Sequence, residues 1–226
     1  MNSHGVAQFK LATRFGARRI IEDYAFPDEG KPKIITPWPA KDLVYQYFRH
    51  DRNEETLASA ILASSEPKHG ETRSEKSKRT SLLRAANHLK KFGPKLPFEN
   101  VRKRSFTTSI SRLPVRVSLD FLATVEAKSG PQNVAVIFNV ATDVSDHAEK
   151  LKTHAQIETE IALRVIGQHV ALDVVWYVDL LSEKIVKKKA SPSMGTWREI
   201  ETVCDDIIIA QRTLMARRSR GNAQAT

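Results

Sequence analysis

Two neighbouring apolar segments within residues 113–142 constrain the fold of this chain most strongly. In the first, apolar residues alternate with more polar ones at the two-residue period of a β-strand (Val115, Val117, Leu119, Phe121, Ala123). The second segment, VAVIFNVA, is apolar at both odd and even positions. That pattern is typical of a central strand covered on both faces. A Gly-Pro turn separates the segments, so the sequence predicts two adjacent strands of one buried sheet.

Each of these strands carries one polar residue that needs an explanation. Asp120 falls within the first, although Asp is depleted in strand interiors. Asn139 falls near the end of the second, where a buried amide must find hydrogen-bond partners. A functional pair is one interpretation. The alternatives are an ion pair between Asp120 and Arg116, and an Asn139 that bridges backbone groups at a strand end. Asp179, which ends a later strand, fits a strand-end cap or turn.

The order of elements after residue 113 is strand, strand, helix, strand, helix. The helix is predicted over residues 145–167 with Ser145 as its cap, the strand over 170–178, a further short strand over SEKIVKKK, and the last helix over 197–217. This order predicts an α/β fold with a right-handed crossover and a mixed sheet flanked by helices, like that of restriction endonucleases, with a basic helical N-terminal region.

Three segments describe the domain organisation that we expect. Residues 1–72 form an N-terminal region without a clear assignment, residues 73–190 a nuclease-like α/β core with its basic leading helix, and residues 191–226 a C-terminal helix with a frayed polar tail. Helices are predicted at 40–48, at 53–62 with Asn53 as N-cap, and at 74–92 before Gly93-Pro94. Turn-rich FPDEGKPK lies between residues 26 and 33, and a basic strand is predicted at VRKRSFT.

Positive charge is concentrated in one part of the chain. The net charge is +10, and residues 73–104 hold eleven Lys and Arg against two acids. Such a window favours a polyanionic partner, most commonly nucleic acid, and the absence of Trp and Tyr from it favours phosphate contacts over base stacking. The alternative is a solvated basic face without a specific partner. The candidate DNA-binding residues are Lys78, Arg79, Arg84, Lys90, Lys91, Arg102, Lys103 and Arg104.

Several classes of protein are excluded by the sequence. The single cysteine, Cys204, rules out an intrachain disulfide or a cysteine metal cluster, and its apolar neighbours predict a helix-packing role. No signal-peptide core and no run of 18 apolar residues is present, so we expect a soluble, cytoplasmic protein. There is no phosphate-binding glycine loop, serine elbow or HExxH helix. His147 and His154, seven positions apart, are predicted to face solvent.

The strand pair resembles the core of the PD-(D/E)xK nuclease fold. There, an Asp on one strand and an acid or amide on the next hold Mg²⁺, and a nearby Lys assists the attacking water. More narrowly, SLDFLATVEAKSGPQNVAVIFNVA, DHAEKLKTHAQIETEIALRV and HVALDVVWYVD resemble the TnsA-type endonuclease subunit of heteromeric transposases, over roughly residues 100–187. The resemblance implies DNA as a partner, a DDE transposase subunit as a second one, and Mg²⁺ as cofactor if the site is active.

The motif departs from the family at its second half. Asn139 and Ala141 stand where the family has an acid or amide and a Lys. Lys150 and Lys152, on the following helix, are the nearest candidates for a displaced lysine. The resemblance therefore implies catalytic candidates Asp120, Asn139, Lys150 and Lys152, with Asp120 and Asn139 as the metal ligands.

Three functional hypotheses follow from these residues. The first is a DNA-binding subunit of a transposition or recombination complex with a weakened or lost active site. The second is an active Mg²⁺-dependent DNA endonuclease with a rearranged site, which requires an acid elsewhere because the helix at 74–92 carries only Glu75, and Glu54 or Glu55 lie further upstream. The third is a non-catalytic subunit that binds a protein or RNA.

Overall fold

A computed structural model describes residues 1–25, 38–67, 69–140 and 142–223 of the chain. Its helices are α1 (Ser3–Leu11), α2 (Arg14–Ala25), α3 (Trp38–Arg49), α4 (Glu54–Ser65), α5 (Arg73–Phe92), α6 (Thr142–Ser145), α7 (Ala148–Ile166) and α8 (Met194–Ala223). Its strands are β1 (Glu99–Arg102), β2 (Thr107–Ile110), β3 (Leu113–Arg116), β4 (Phe121–Ala127), β5 (Gly130–Asn139), β6 (Val174–Asp179) and β7 (Lys184–Lys189).

Strand β5 is the centre of a five-stranded sheet with the order β1-β4-β5-β6-β7. It pairs antiparallel with β4 and parallel with β6, so the sheet is mixed and the α/β class is confirmed. Its second half, from Val134 to Asn139, is buried throughout, as predicted for a strand covered on both faces. Gly130 begins β5 with φ of 102°, a conformation that favours glycine in the turn from β4.

Alternate residues of β5 contribute to two hydrophobic cores on opposite faces of the sheet. Ala135 and Ile137 pack in the core that contains the inner face of α7, whereas Val136 and Phe138 pack in the core formed with α3 and α5. The ring centroid of Phe138 lies 5.8 Å from that of Phe48 in α3. Because both faces are covered, the described part of β5 beyond residue 133 has no polar side chain before Asn139.

The connection from β5 to the parallel strand β6 runs through helix, as predicted, but as two helices. The predicted helix over 145–167 is divided into α6 and α7, and the N-cap position of α7 is His147. Ser145 was the wrong cap. Its hydroxyl donates to the Asp179 carboxylate over 2.6 Å, so it ties the end of α6 to the end of β6.

The predicted first strand is interrupted between β3 and β4. β3 pairs with β2 in a separate two-stranded sheet, whereas β4 pairs with β1 and β5, so the chain changes sheets at residues 117–120. Asp120 therefore lies immediately before β4 and not inside a strand. This position explains an acidic residue in an otherwise apolar run, because Asp120 lies at the end of the main sheet and not between two strand residues.

The N-terminal region is helical and packs on the core. Val6 and Ala7 of α1 lie in the same buried cluster as Ile157 and Ile161 of α7. The helices predicted at 40–48, 53–62 and 74–92 are present as α3, α4 and α5, and the side chain of Asn53 accepts the backbone N–H of Glu55 over 2.7 Å, as an N-cap does. The turn predicted at residues 26–33 lies outside the described residues.

The C-terminal helix is longer than predicted. Helix α8 begins at Met194 and continues to Ala223, so a frayed tail is the wrong description of residues 217–223. The segment contains several arginines and no proline, and arginine is a good helix former. Cys204 is fully buried on this helix, as predicted. In the described part of the chain, no helix combines the length and the hydrophobicity that crossing a bilayer requires.

Candidate functional site

A cavity of about 560 Å³ opens at one edge of the main sheet. The parallel strands β5 and β6 end here at Asn139 and Asp179, and β4 begins here after Asp120 because it runs antiparallel to β5. The carboxyl ends of parallel strands are the usual location of ligand sites in α/β proteins. The cavity is lined by residues from α1, α3, the segment after β1 and the strand ends, among them His4, Lys41, Arg104, Arg116, Asp120 and Asn139.

Asp120 is the buried carboxylate of this cavity. Its Oδ2 accepts the backbone N–H of Phe138 over 2.7 Å and the Lys41 ammonium group over 3.1 Å. Burial raises the pKa of Asp120, and Lys41 and the Phe138 N–H only partly offset this effect. The side chain of Asp120 is 5% exposed. The site therefore combines an Asp120 carboxyl group whose pKa is raised with the ammonium group of Lys41.

Lys41, rather than Arg116, is the partner of Asp120. The predicted ion pair with Arg116 is wrong because β3 belongs to the other sheet, and Arg116 is an exposed residue on the cavity wall. Lys41 lies 79 positions before Asp120, on α3. No local pattern in the sequence indicates this contact, since it depends on how α3 packs across the sheet.

Asn139 is bound into a hydrogen-bonded group at the ends of β5 and β6. Its amide nitrogen donates to Asp179 over 2.9 Å and to Ser145 over 3.1 Å, and Ser182 donates to the second oxygen of Asp179. The alternative in which Asn139 bridges backbone groups does not describe its amide nitrogen, because both partners of this nitrogen are side chains. Asp179 does act at a strand end, where it accepts bonds from three side chains.

Asp120 and Asn139, the two residues predicted to hold Mg²⁺, both line the cavity. This ion requires near-octahedral oxygen coordination. Asp120 already uses Oδ2 for an ammonium group and a backbone N–H, and Asn139 directs its amide nitrogen at Asp179. An Mg²⁺ ion at Oδ2 of Asp120 would therefore have to compete with the Lys41 ammonium group.

The two lysines proposed for catalysis lie elsewhere. Lys150 is exposed on the first turn of α7, and Lys152 lines a groove between α7 and β7. Neither is among the residues that line the Asp120 cavity. The upstream acids that could complete a nuclease site have other positions. Glu75 completes the N-terminal capping box of α5, and Glu54 and Glu55 lie in the first turn of α4.

Most of the predicted DNA-binding residues are exposed. Arg104 lies on the cavity wall, and neither it nor Arg116 forms an ion pair with any residue that the structure describes. The remaining exposed members are Lys78, Arg84, Lys90 and Lys91 on α5, and Arg102 on β1.

Two predicted members are engaged within the protein. Arg79 donates to both carboxylate oxygens of Glu71, over 2.8 and 3.1 Å, and to the carbonyl of Ser64, so it joins α5 to the preceding loop and to the end of α4. Lys103 contacts the Asp42 carboxylate at 3.2 Å and lies over the ring of Tyr45. Arg79 is therefore a structural residue rather than a surface for a ligand.

A second buried acid, Glu158, lies on α7 between two histidines. Oε1 of Glu158 is 3.1 Å from Nδ1 of His4 and 2.9 Å from Nδ1 of His154. The prediction that His154 faces solvent is wrong: its side chain is fully buried, whereas His147 is exposed. The spacing of four residues between His154 and Glu158 is a signal in the sequence, since it places both on one face of a helix. His4 could not be foreseen.

Comparison with known proteins does not assign the chain to a family. No protein-family model matches the chain, and the search of curated proteins finds no match.

Proposed function

We propose that the protein binds DNA through the sheet-edge cavity, as a DNA-binding subunit of a transposition or recombination complex with a TnsA-like nuclease fold. The observation that carries the proposal is the composition of the cavity wall. Arg104 and Arg116 are exposed and without ion pairs among the described residues, and they flank an opening that leads to Asp120 and Lys41. Unpaired guanidinium groups beside a concave surface are suited to bidentate contact with backbone phosphates.

The wider charge distribution supports the same proposal. The exposed cations of α5 and β1 (Arg84, Lys90, Lys91, Arg102) extend the basic surface of the segment that precedes the cavity, and the whole chain carries +10. Phosphate contacts of this kind supply most of the affinity of sequence-independent DNA binding. A DDE transposase subunit remains the partner implied by the sequence resemblance.

The double variant Arg104→Glu/Arg116→Glu tests the role of the cavity wall. We expect its affinity for duplex DNA to fall by about tenfold or more, and the slope of log K against log salt to decrease by about 2, because each phosphate contact contributes about one unit. Fluorescence anisotropy at several salt concentrations measures both quantities.

A matched control for this variant is available on β7. Lys184→Glu/Lys189→Glu makes the same change in net charge at two exposed positions away from the cavity. A clearly smaller loss in this control locates binding at the cavity. Equal losses in both variants would mean that only the net charge matters, and unchanged binding in the cavity variant would exclude this surface.

Endonuclease activity is the second candidate, and Lys41 favours it. The resemblance implies an acid, an amide and a lysine at the active site, and the cavity brings together Asp120, Asn139 and Lys41, with Nζ of Lys41 3.1 Å from the Asp120 carboxylate. The lysine comes from α3 and not from the strand. In a plasmid-nicking assay with Mg²⁺ or Mn²⁺, Asp120→Ala and Lys41→Ala should each abolish cleavage, whereas Lys152→Ala should not. Cleavage that persists in Asp120→Ala rejects this mechanism.

A further inference from the structure

We propose that His4, His154 and Glu158 form a transition-metal site, and that Zn²⁺ is the ion that its donors suit best. Within the described residues, this is the group of His, Cys, Asp and Glu side chains whose ligand atoms converge, all within 4.8 Å of one another. Two imidazoles and one carboxylate are a ligand set that zinc uses in proteins. The proposal does not depend on DNA binding or on cleavage.

The elements that hold these residues are fixed by the packing of the core. His154 and Glu158 lie one helical turn apart on the buried face of α7, so their side chains project in the same direction. α1 brings His4 against them and is anchored there. The backbone N–H of His4 donates to Ser118 Oγ over 3.3 Å, and Ser3 Oγ accepts the backbone N–H of Ser118 over 2.8 Å. The site is therefore organised before an ion binds.

The separations of the donor atoms suit a tetrahedral ion. Bonds of the usual Zn–N and Zn–O lengths place two ligand atoms about 3.4 Å apart in a tetrahedron. The two nitrogen–oxygen distances here are 3.1 and 2.9 Å, and the rings of His4 and His154 have centroids 4.5 Å apart. Movements of a few tenths of an ångström at each nitrogen–oxygen pair would open the space that the ion needs.

Two atoms of the group that could bind the ion are buried without a hydrogen bond to any residue that the structure describes: Nδ1 of His154 and Oε2 of Glu158. Nδ1 of His154 lies 2.9 Å from Oε1 of Glu158 but lacks hydrogen-bond geometry. Burial of polar groups without partners is costly. An ion that binds these groups would remove part of this cost, which is why the arrangement points to a ligand rather than to a purely structural contact.

His4 connects the group with the Asp120 cavity, because it lines this cavity and its side chain is 26% exposed, whereas the side chains of His154 and Glu158 are buried. With three protein ligands, the ion would keep a fourth coordination position, which is the pattern of zinc sites that bind water or a substrate oxygen.

Metal titration of the chelator-treated full-length protein tests the site. We expect one equivalent of Zn²⁺ by calorimetry and by elemental analysis after dialysis, and Co²⁺ should give the intense visible absorption of a tetrahedral complex. Millimolar Mg²⁺ should not compete, because imidazole nitrogen prefers the later transition metals. His4→Ala and Glu158→Gln should each weaken Zn²⁺ binding by about 100-fold or more, since each loses a direct ligand.

His147→Ala is the matched control, because it removes an exposed histidine at the start of the same helix. Its Zn²⁺ affinity should equal that of the wild type. His4 is partly exposed, so His4→Ala should keep the native circular dichroism spectrum even if Glu158→Gln does not fold. The proposal is overturned if the wild-type protein binds no stoichiometric Zn²⁺, or if His4→Ala binds it as tightly as the wild type.

Discussion

Asp120 shows how a buried charge at a sheet edge is tolerated. Its carboxylate has a backbone N–H and an ammonium group as partners, yet burial dominates and raises its pKa. A raised pKa means that folding favours the protonated acid. The carboxyl group therefore costs stability once the pH exceeds the value at which it ionises in the unfolded chain. Such a cost is common where a side chain is retained for function rather than for stability.

Replacement of Asp120 by Asn should therefore stabilise the protein in a pH-dependent manner. The amide can still accept the Phe138 N–H, and it does not titrate. Through the window above the ordinary Asp pKa of 3.8, the wild-type protein loses stability relative to the variant as the pH rises, because its unfolded state has released a proton that the folded state retains. The advantage of Asp120→Asn should be small near pH 3 and larger at pH 7.

Urea denaturation of both proteins at several pH values measures this difference. Asp173→Asn is a suitable control, since Asp173 is exposed just before β6 and its side chain likewise accepts a backbone N–H, that of Asn133 in β5. A difference between wild type and Asp120→Asn that does not change between pH 3 and pH 7 would contradict the raised pKa.

Of four polar residues that line the cavity, two could be predicted from the sequence and two could not, and the difference lies in the sequence around each residue. Asp120 and Asn139 interrupt apolar segments, so both were recognisable as unusual, and both line the cavity. Lys41 and His4 were not recognisable, because each lies in an ordinary amphipathic or polar segment and reaches the site only through tertiary packing. Lys150 and Lys152 are near Asn139 along the chain, on the helix that follows it, but the structure places both outside the cavity.

At the scale of elements, local signals predicted helices better than strand limits. The cap at Asn53 and the glycine-proline stop after Phe92 were both correct, because capping depends on a few adjacent residues. The interruption between β3 and β4 is not predicted by the sequence. Apolar alternation continues through residues 113–123, and nothing in it indicates that the chain leaves one sheet for another.

The capping box of α5 provides a prediction at this scale. Thr72 Oγ1 accepts the backbone N–H of Glu75 over 3.3 Å, and the Glu75 carboxylate accepts the backbone N–H of Thr72 over 2.8 Å. Thr72→Ala should lower the free energy of unfolding by about 1 kcal/mol. Thr80→Ala, which removes a hydroxyl from an exposed position of the same helix, should change it by less than about 0.5 kcal/mol. Equal effects would contradict a role for the cap.

The whole molecule is held by two cores that share β5. The core with α3 and α5 contains an aromatic cluster in which the ring centroid of Phe138 lies 5.8 Å from that of Phe48, 5.9 Å from that of Phe121 and 6.3 Å from that of Phe98. Alternate side chains of β5 pack in this core and in the core on the opposite face of the sheet. A loss of packing on one face of β5 should therefore weaken both cores.

Phe138→Ala should therefore reduce the free energy of unfolding by about 3–5 kcal/mol, the range for removal of a buried aromatic ring. Phe138→Leu should cost less, because it leaves a smaller cavity. Leu62→Ala is the control, since Leu62 is 75% exposed on α4 and should change stability by less than about 0.5 kcal/mol. Denaturant unfolding monitored by circular dichroism distinguishes these outcomes, and a cost below that of Leu62→Ala would exclude Phe138 as a core residue.

The contact between His4 and Glu158 joins residues 154 positions apart. Closure of so long a loop loses much chain entropy before any contact compensates for it, so such contacts form slowly. The neighbouring strands β4 and β5, in contrast, are joined by a short turn and can pair early. During folding, therefore, we expect β4 and β5 to pair before the contact between His4 and Glu158 forms. During synthesis the residues of α1 emerge before those of α7 and acquire their partner only after α7 has been made, which makes the assembly of this corner a late event in folding.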